Sequence, residues 1–275
     1  KLNFNYKLFS RREPRRLQEN LSPSFKDMLE HPDRIHPSLL VRCCRSDRSD
    51  FCLETVDKGW LTQRQMTQAA ERYYLGRSHS GKPIFWMIDE QGITRDGHIG
   101  DSWVSKMLQA RHPDAYYGFI ASHCLFGQHL LGVAGRAVGL IESERSAIIL
   151  SGVYPQMTWM AWVYPCNLTV ELLKVLKGRQ VILYPRASET MEDYMSCFDT
   201  ADYVRRNYGL DITVSPILEQ HATIAQKQSK IDLVDFLFAE GPALQTSLAG
   251  AACRDSSFSF VTERKPKQKK GAKTS

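Results

Sequence analysis

No stretch of this sequence holds the roughly eighteen consecutive apolar residues that a membrane-spanning helix needs, so a membrane protein of that kind is not expected. The basic opening, KLNFNYKLFSRREPRR, has no apolar centre of the sort a secretory signal carries. Cysteine supplies neither a disulfide framework nor a zinc ribbon. The seven residues Cys43, Cys44, Cys52, Cys124, Cys166, Cys197 and Cys253 are odd in number and include no C-x2-C pair. Reduced thiols in a cytoplasmic protein are the expectation. The eight histidines form no H-x3-H or H-E-x-x-H pattern, and His123 and His129, which flank Cys124, stand at no standard ligand spacing. Buried packing is the expectation for Cys124. Phosphate-cradling glycine loops are missing too, since neither G-x-x-x-x-G-K-[ST] nor G-x-G-x-x-G occurs.

What is present is 275 residues, 43% hydrophobic, enough for one large core or two modest ones. The net charge of +6 sits entirely in the tail, where Arg264, Lys265, Lys267, Lys269, Lys270 and Lys273 follow the last acid, Glu263. Without those six, 30 basic residues face 30 acidic ones. The tail RKPKQKKGAKTS has no apolar periodicity, so disorder is expected there. Clustered lysines release counterions from nucleic acid, which makes the tail either a phosphate-binding arm or a solubilising terminus.

Four prolines, Pro14, Pro23, Pro32 and Pro37, break the polar N-terminal segment, leaving one short helix near 24–30. Residues 38–44 form a further helical turn or two. Thr62 and Gln65 make a capping box for a helix that Gly76 should end. Residues 82–100 read as a β-hairpin turning at Glu90-Gln91-Gly92, followed by a short helix in SWVSKMLQAR. From residue 137 the pattern is regular. Apolar strands at 137–141, 158–163, 180–185 and 211–215 alternate with helices at 144–151, 168–177 and 191–208. Asn167 should cap the second helix, and Met191, Tyr194, Met195 and Phe198 should point inward from the third. Strands alternating with helices in this way imply a parallel sheet with helices on both faces.

Chemistry in open parallel sheets gathers outside the carboxyl ends of the strands. That rule draws attention to AVGLIESERSAIILSG, residues 137–152, where Glu142-Ser143-Glu144-Arg145 separates two apolar runs. It also draws attention to Arg186 and Ser188 after the third strand. At the first junction, Ser143 or Glu144 would also serve as a helix cap, and spacing alone leaves both readings open.

These residues resemble the TOPRIM domain shared by primases, topoisomerases and related nucleases. The resemblance is carried by VGLIESERSAIIL, by TWMAWVYPCNLTVELLKVLKGRQVILYP and by IDLVDFL. The upstream PIFWMIDEQGITRDGHIG is similar to the hairpin that precedes TOPRIM in primases. With HCLFGQHLL, residues 40–238 resemble a TOPRIM-related family of Bacteroidetes and their mobile elements. The fold implied is a TOPRIM-like, Rossmann-like α/β sheet at 132–240. It would follow an irregular segment at 1–36 and a primase-like α+β region at 37–131, with a linker and basic tail at 241–275.

Carried over residue by residue, the resemblance makes Glu142 the general acid/base or metal-associated carboxylate, if the site is active. Glu144 and Arg145 match the family's Glu-Lys pair, Ser143 stands for its usual glycine, and Asp232 and Asp235 match two aspartates that often serve packing and capping. The departure lies at Arg186 and Ser188, which stand where the two metal-binding aspartates belong. Mg2+ needs carboxylate oxygens, and an arginine there repels it. The Thr-Gly-Gly turn of the family is likewise replaced, by Val163-Tyr164-Pro165-Cys166. No metal or other cofactor is expected, Mg2+ applying only to an active enzyme. An inherited Glu142 would instead need a new partner, and Arg186 is the nearest in such a fold.

The function implied is a primase-related, DNA-binding protein of replication or mobile-element maintenance with a degenerate site. An active metal-dependent nuclease or primase and a protein-interaction module are the alternatives. Partners would be DNA and replication or mobile-element proteins. Arg72, Arg77 and Arg95 could hold phosphates beside aromatic residues, together with Lys265, Lys267, Lys269 and Lys270 of the tail.

Overall fold

The structure, a computed structural model, describes residues 34–35, 47–111, 124–132, 135–163 and 168–240. The helices expected at 24–30 and 38–44, and the basic tail, lie outside the described residues. Two helices open the described chain, α1 (Asp50–Asp57) and α2 (Gln63–Arg72). Thr62 and Gln65 form the expected capping box on α2. The helix ends earlier than Gly76, turning through Tyr74 at a left-handed φ of 51°. Gly76 already belongs to a strand.

An antiparallel sheet follows, built from β1 (Gly76–Arg77), β2 (Pro83–Ile88), β3 (Thr94–Ile99) and β4 (Ser102–Trp103) in that order. Strands β2 and β3 are the expected hairpin, and α3 (Val104–Arg111) follows them. All six residues of β2 are buried, because helices and the second sheet cover it. Trp86 faces Gly97 across the pair. A Cβ on Gly97 would come within 2.7 Å of the Trp86 ring, so only glycine lets the indole lie flat there.

After a 3-10 turn at Gln128–Gly132 come β5 (Val138–Ile141), α4 (Glu144–Val153), β6 (Thr158–Ala161), α5 (Val170–Lys174), β7 (Gln180–Tyr184), α6 (Glu192–Tyr208) and β8 (Asp211–Val214). The four strands pair in parallel in the order β6-β5-β7-β8. The expected mixed α/β architecture with a parallel sheet is therefore present. Helix α5 is shorter than expected, and its cap is Thr169, whose side chain accepts from Leu172 N. Three short helices close the described chain, α7 (Ile217–His221), α8 (Ile224–Gln228) and α9 (Leu233–Glu240).

The expected facing of α6 was wrong in part. Its buried residues are Cys197, Ala201 and Val204, while Met191, Met195 and Phe198 are exposed and Tyr194 is half-buried. Both stripes have helical spacing. The one with small residues, Cys197 and Ala201, packs close to the sheet.

One cluster of buried side chains joins the two sheets, running through Phe51, Tyr73, Phe85, Phe126, Trp159 and Phe236. Tyr73 stacks on Phe126 at 5.1 Å and donates its hydroxyl to Trp159 O at 2.7 Å. Among the described residues no helix is long and apolar enough to cross a membrane.

Candidate functional site

The strand order places β5 between β6 and β7, so the chain leaves β5 to one side and later returns to the other. Ligands in such sheets bind in the crevice where the order reverses. Glu142 follows β5 directly, and Arg186 lies two residues beyond β7, its neighbour.

The four residues at the β5–α4 junction have four separate tasks. Ser143 is the helix cap, its Oγ accepting from Ser146 N at 3.4 Å. Glu144 is buried and faces the antiparallel sheet, with Oε1 2.6 Å from His98 Nδ1 on β3. Arg145 turns another way, its guanidinium 5.5 Å from the Phe51 ring. It borders a cavity of about 200 Å3 lined also by Glu54, Lys58, Trp60 and Asp235. Glu142 alone of the four meets Arg186, with Oε2 2.5 Å from Nε. Cap and cleft are therefore adjacent residues rather than competing readings of one.

Charges of both signs surround this pair. Burial raises the Glu142 pKa, Arg186 pulls it down, Asp193 and Asp232 raise it and Lys230 lowers it, leaving it above the ordinary carboxylate value. Lys230 Nζ is 2.8 Å from Glu192 and 3.8 Å from Asp193 Oδ2. That aspartate oxygen is buried without a hydrogen-bond partner among the described residues. The backbone is strained here as well. Val163, two residues past β6, Met191, just before α6, and Lys230, between α8 and α9, adopt φ of 48°, 57° and 49°. A left-handed β-branched residue such as Val163 is an outlier, and strain of this kind collects at functional sites.

Ser188, Asp232 and Asp235 hold backbone instead. Ser188 is buried, donates its N–H to Glu219 Oε1 at 3.2 Å, and accepts from Asp193 N through Oγ at 3.4 Å. Asp232 Oδ1 accepts from Val234 N at 2.8 Å and Asp235 N at 3.1 Å, and its Oδ2 accepts from the Ser146 hydroxyl. Asp235 returns the favour by accepting from Asp232 N at 3.3 Å. The two aspartates thus form a reciprocal cap for α9.

A divalent cation does not fit these residues as they stand. A guanidinium occupies the Glu142 carboxylate, Asp232 is committed to backbone and Ser146, and no group of three His, Cys, Asp or Glu side chains converges among the described residues. Hard cations such as Mg2+ require several oxygens at once.

Of the arginines considered for phosphates, Arg95 is the most committed, with Nε 2.7 Å from Asp89 Oδ2. Arg72 and Arg77 are exposed, and each places one nitrogen on a carbonyl, Ser151 O at 3.2 Å and Arg48 O at 3.0 Å. Lys265, Lys267, Lys269 and Lys270 lie outside the described residues, as does His123. Burial pushes the Cys124 thiol up to about 12, so it is no nucleophile near neutrality. Sequence reasoning missed His98, Lys230 and the site role of Asp193. The available signal for Asp193 was its place in the first turn of α6, the helix that follows β7.

Residues 53–187 match a family described as a domain of unknown function (DUF6371). No curated protein matches the chain. Among solved structures it is similar to the DnaG primase catalytic domain bound to ssDNA, at 11% identity and a TM-score of 0.46, over 80% of this chain and 84% of that one. It is also similar to the RNA polymerase domain of Mycobacterium tuberculosis primase DnaG, at 11% identity and a TM-score of 0.39, covering 84% and 94%. For the zinc-binding and RNA polymerase domains of the Aquifex aeolicus primase the values are 11%, 0.35, 87% and 65%.

Proposed function

We propose that the protein is a nucleic-acid-binding, primase-related protein of the TOPRIM type, serving DNA replication or mobile-element maintenance, whose metal site has been replaced by an internal ion pair. The observation that carries this reading is the Arg186 guanidinium seated on Glu142, at the strand ends where a metal-dependent site would gather carboxylates. A permanent cation there neutralises Glu142 without offering the open coordination positions that phosphoryl transfer draws on. Binding then falls to surfaces outside this cleft, and the basic tail and the exposed Arg72 and Arg77 are its candidates. Motif resemblance and charge placement support nucleic acid as the ligand.

The test is fluorescence anisotropy with single-stranded and duplex DNA, with EDTA or Mg2+, beside assays for primer synthesis and cleavage. The expected result is binding that EDTA leaves unchanged, weakens with salt, and is accompanied by neither reaction. Deleting residues 264–275 should flatten the log–log salt slope by about 0.9 per lost duplex phosphate contact, or about 0.7 on single strands. Synthesis or cleavage that needs Mg2+ and disappears in Glu142→Gln would favour the enzyme instead. Absence of binding to either DNA would leave the protein-interaction reading.

A further inference from the structure

At the β5–α4 junction Glu142 holds Arg186, Ser143 caps α4 and Glu144 meets His98. Arg145 has no such task. Its guanidinium lies 5.5 Å from the Phe51 ring and, among the described residues, makes neither a hydrogen bond nor an ion pair. It stands exposed beside the cavity of about 200 Å3 between α1, α4 and α9. Phe51, Ile149 and Val234, all buried, give that cavity an apolar floor. Trp60, stacked on Phe238 at 5.2 Å, adds an aromatic wall. Two acids also line it. Glu54 is held by Lys58 Nζ at 2.7 Å, whereas Asp235 accepts from Asp232 N at 3.3 Å through Oδ2 and keeps Oδ1 open among the described residues. The cavity thus presents an uncommitted cation, an uncommitted acceptor and an apolar floor. Sites for cofactor-sized ligands run from roughly 300 to 1,000 Å3, more than this one offers. The two carboxylates also repel a phosphate. One apolar side chain fits, and a donor fork beside an acceptor matches a carboxylate beside an amide N–H. In a polypeptide only the last residue carries both on one α-carbon.

We infer that this cavity captures the C-terminal residue of a partner polypeptide, with its α-carboxylate on Arg145, its amide N–H on Asp235 and an apolar side chain on the floor. A guanidinium grips a carboxylate through two parallel hydrogen bonds. Capture of a terminal carboxylate is a recurrent mode of peptide recognition. The inference is separate from the nucleic-acid reading above, and neither falls with the other.

The experiment uses the full chain and anisotropy with a labelled Gly-Ser peptide ending in leucine, as the free acid and as the C-terminal amide. Wild type should bind the acid roughly tenfold or more tightly than the amide, and more tightly than the same peptide ending in serine. Arg145→Gln, checked for folding by thermal melting, should lose the preference for the acid. Equal binding of acid and amide by wild type would overturn the inference, as would failure to bind the acid. That comparison needs no variant, so it decides even if Arg145→Gln does not fold. A preference that survives intact in folded Arg145→Gln would overturn it too. Displacement of the labelled peptide by N-acetyl-leucine as readily as by the unlabelled peptide would show a site for a free small acid, and would overturn the polypeptide partner.

Discussion

The antiparallel and parallel sheets share a packing device and differ in how they hold their carboxylates. In the first, Trp86 lies across Gly97; in the second, Trp159 lies across Gly139, whose Cβ would stand 2.6 Å from the ring. Beyond that the resemblance stops. Asp89 accepts from Gln91 N and Ile93 N as well as from Arg95. Asp96, fully buried, accepts from Gly97 N and from both the N–H and hydroxyl of Ser105. At the carboxyl end of the parallel sheet, Glu142 meets a guanidinium and, among the described residues, no backbone amide. A carboxylate that holds backbone donors is part of the fold, because removing it strands those donors. One that faces only another side chain can be exchanged with its partner, and a catalytic site can be rewritten there.

The sharpest way to break this contrast is Asp96→Ala. Burying the Gly97 and Ser105 donors without a partner should cost about 3 kcal/mol, read from the denaturant midpoint at unchanged slope. A loss within the range of an ordinary surface change would mean that the hairpin relaxes around the gap.

Arg186→Ala should cost less, about 1–2 kcal/mol at neutral pH, since the arginine is partly exposed and water screens the remaining charge. The deficit should shrink as pH falls. Folded Glu142 already holds its proton to a higher pH than an unfolded glutamate does, so the folded state binds more protons across that interval. Stability from this group therefore declines as pH rises through the interval, and removing Arg186 widens it. Glu142→Gln should abolish the widening in stability-versus-pH curves.

The smallest effect is expected between the sheets, at His98 and Glu144. Burial opposes the imidazolium, but the hydrogen bond it donates to Glu144 and the charges of Glu144, Asp101 and Asp96 outweigh it, so the His98 pKa is raised. The stability this adds is complete below the unfolded value near 6.5 and is lost as pH rises through the raised folded value. Denaturation of His98→Gln from acid to mildly alkaline pH should lack that fall. An identical pH profile in the variant would place the proton elsewhere.

The parallel sheet was legible because strands buried on both faces read as continuous apolar runs, and all four fell within two residues of their observed ends. The pairing of Glu142 with Arg186 was legible for the same reason, because adjacent parallel strands bring their following residues together. The face of α6 was not, since 191-195-198 and 197-201-204 have equal periodicity and only packing chooses between them. Nor was the end of α2, where Gly76 offered the expected signal and the chain turned instead through Tyr74. His98 escaped because a hairpin histidine finds its partner 46 residues away, across two sheets.

The central claim is that Arg186 stands in place of a metal ion, and calorimetric titration with Mn2+ tests it most directly. Ser188 is too enclosed to accept a second carboxylate, but Arg186→Asp alone would set a new carboxylate beside Glu142 and near Asp193, whose Oδ2 accepts no hydrogen bond among the described residues. The account predicts no measurable Mn2+ binding by wild type, binding by Arg186→Asp, and its loss when Glu142→Gln is added. Tight Mn2+ binding by wild type that Glu142→Gln abolishes would contradict it.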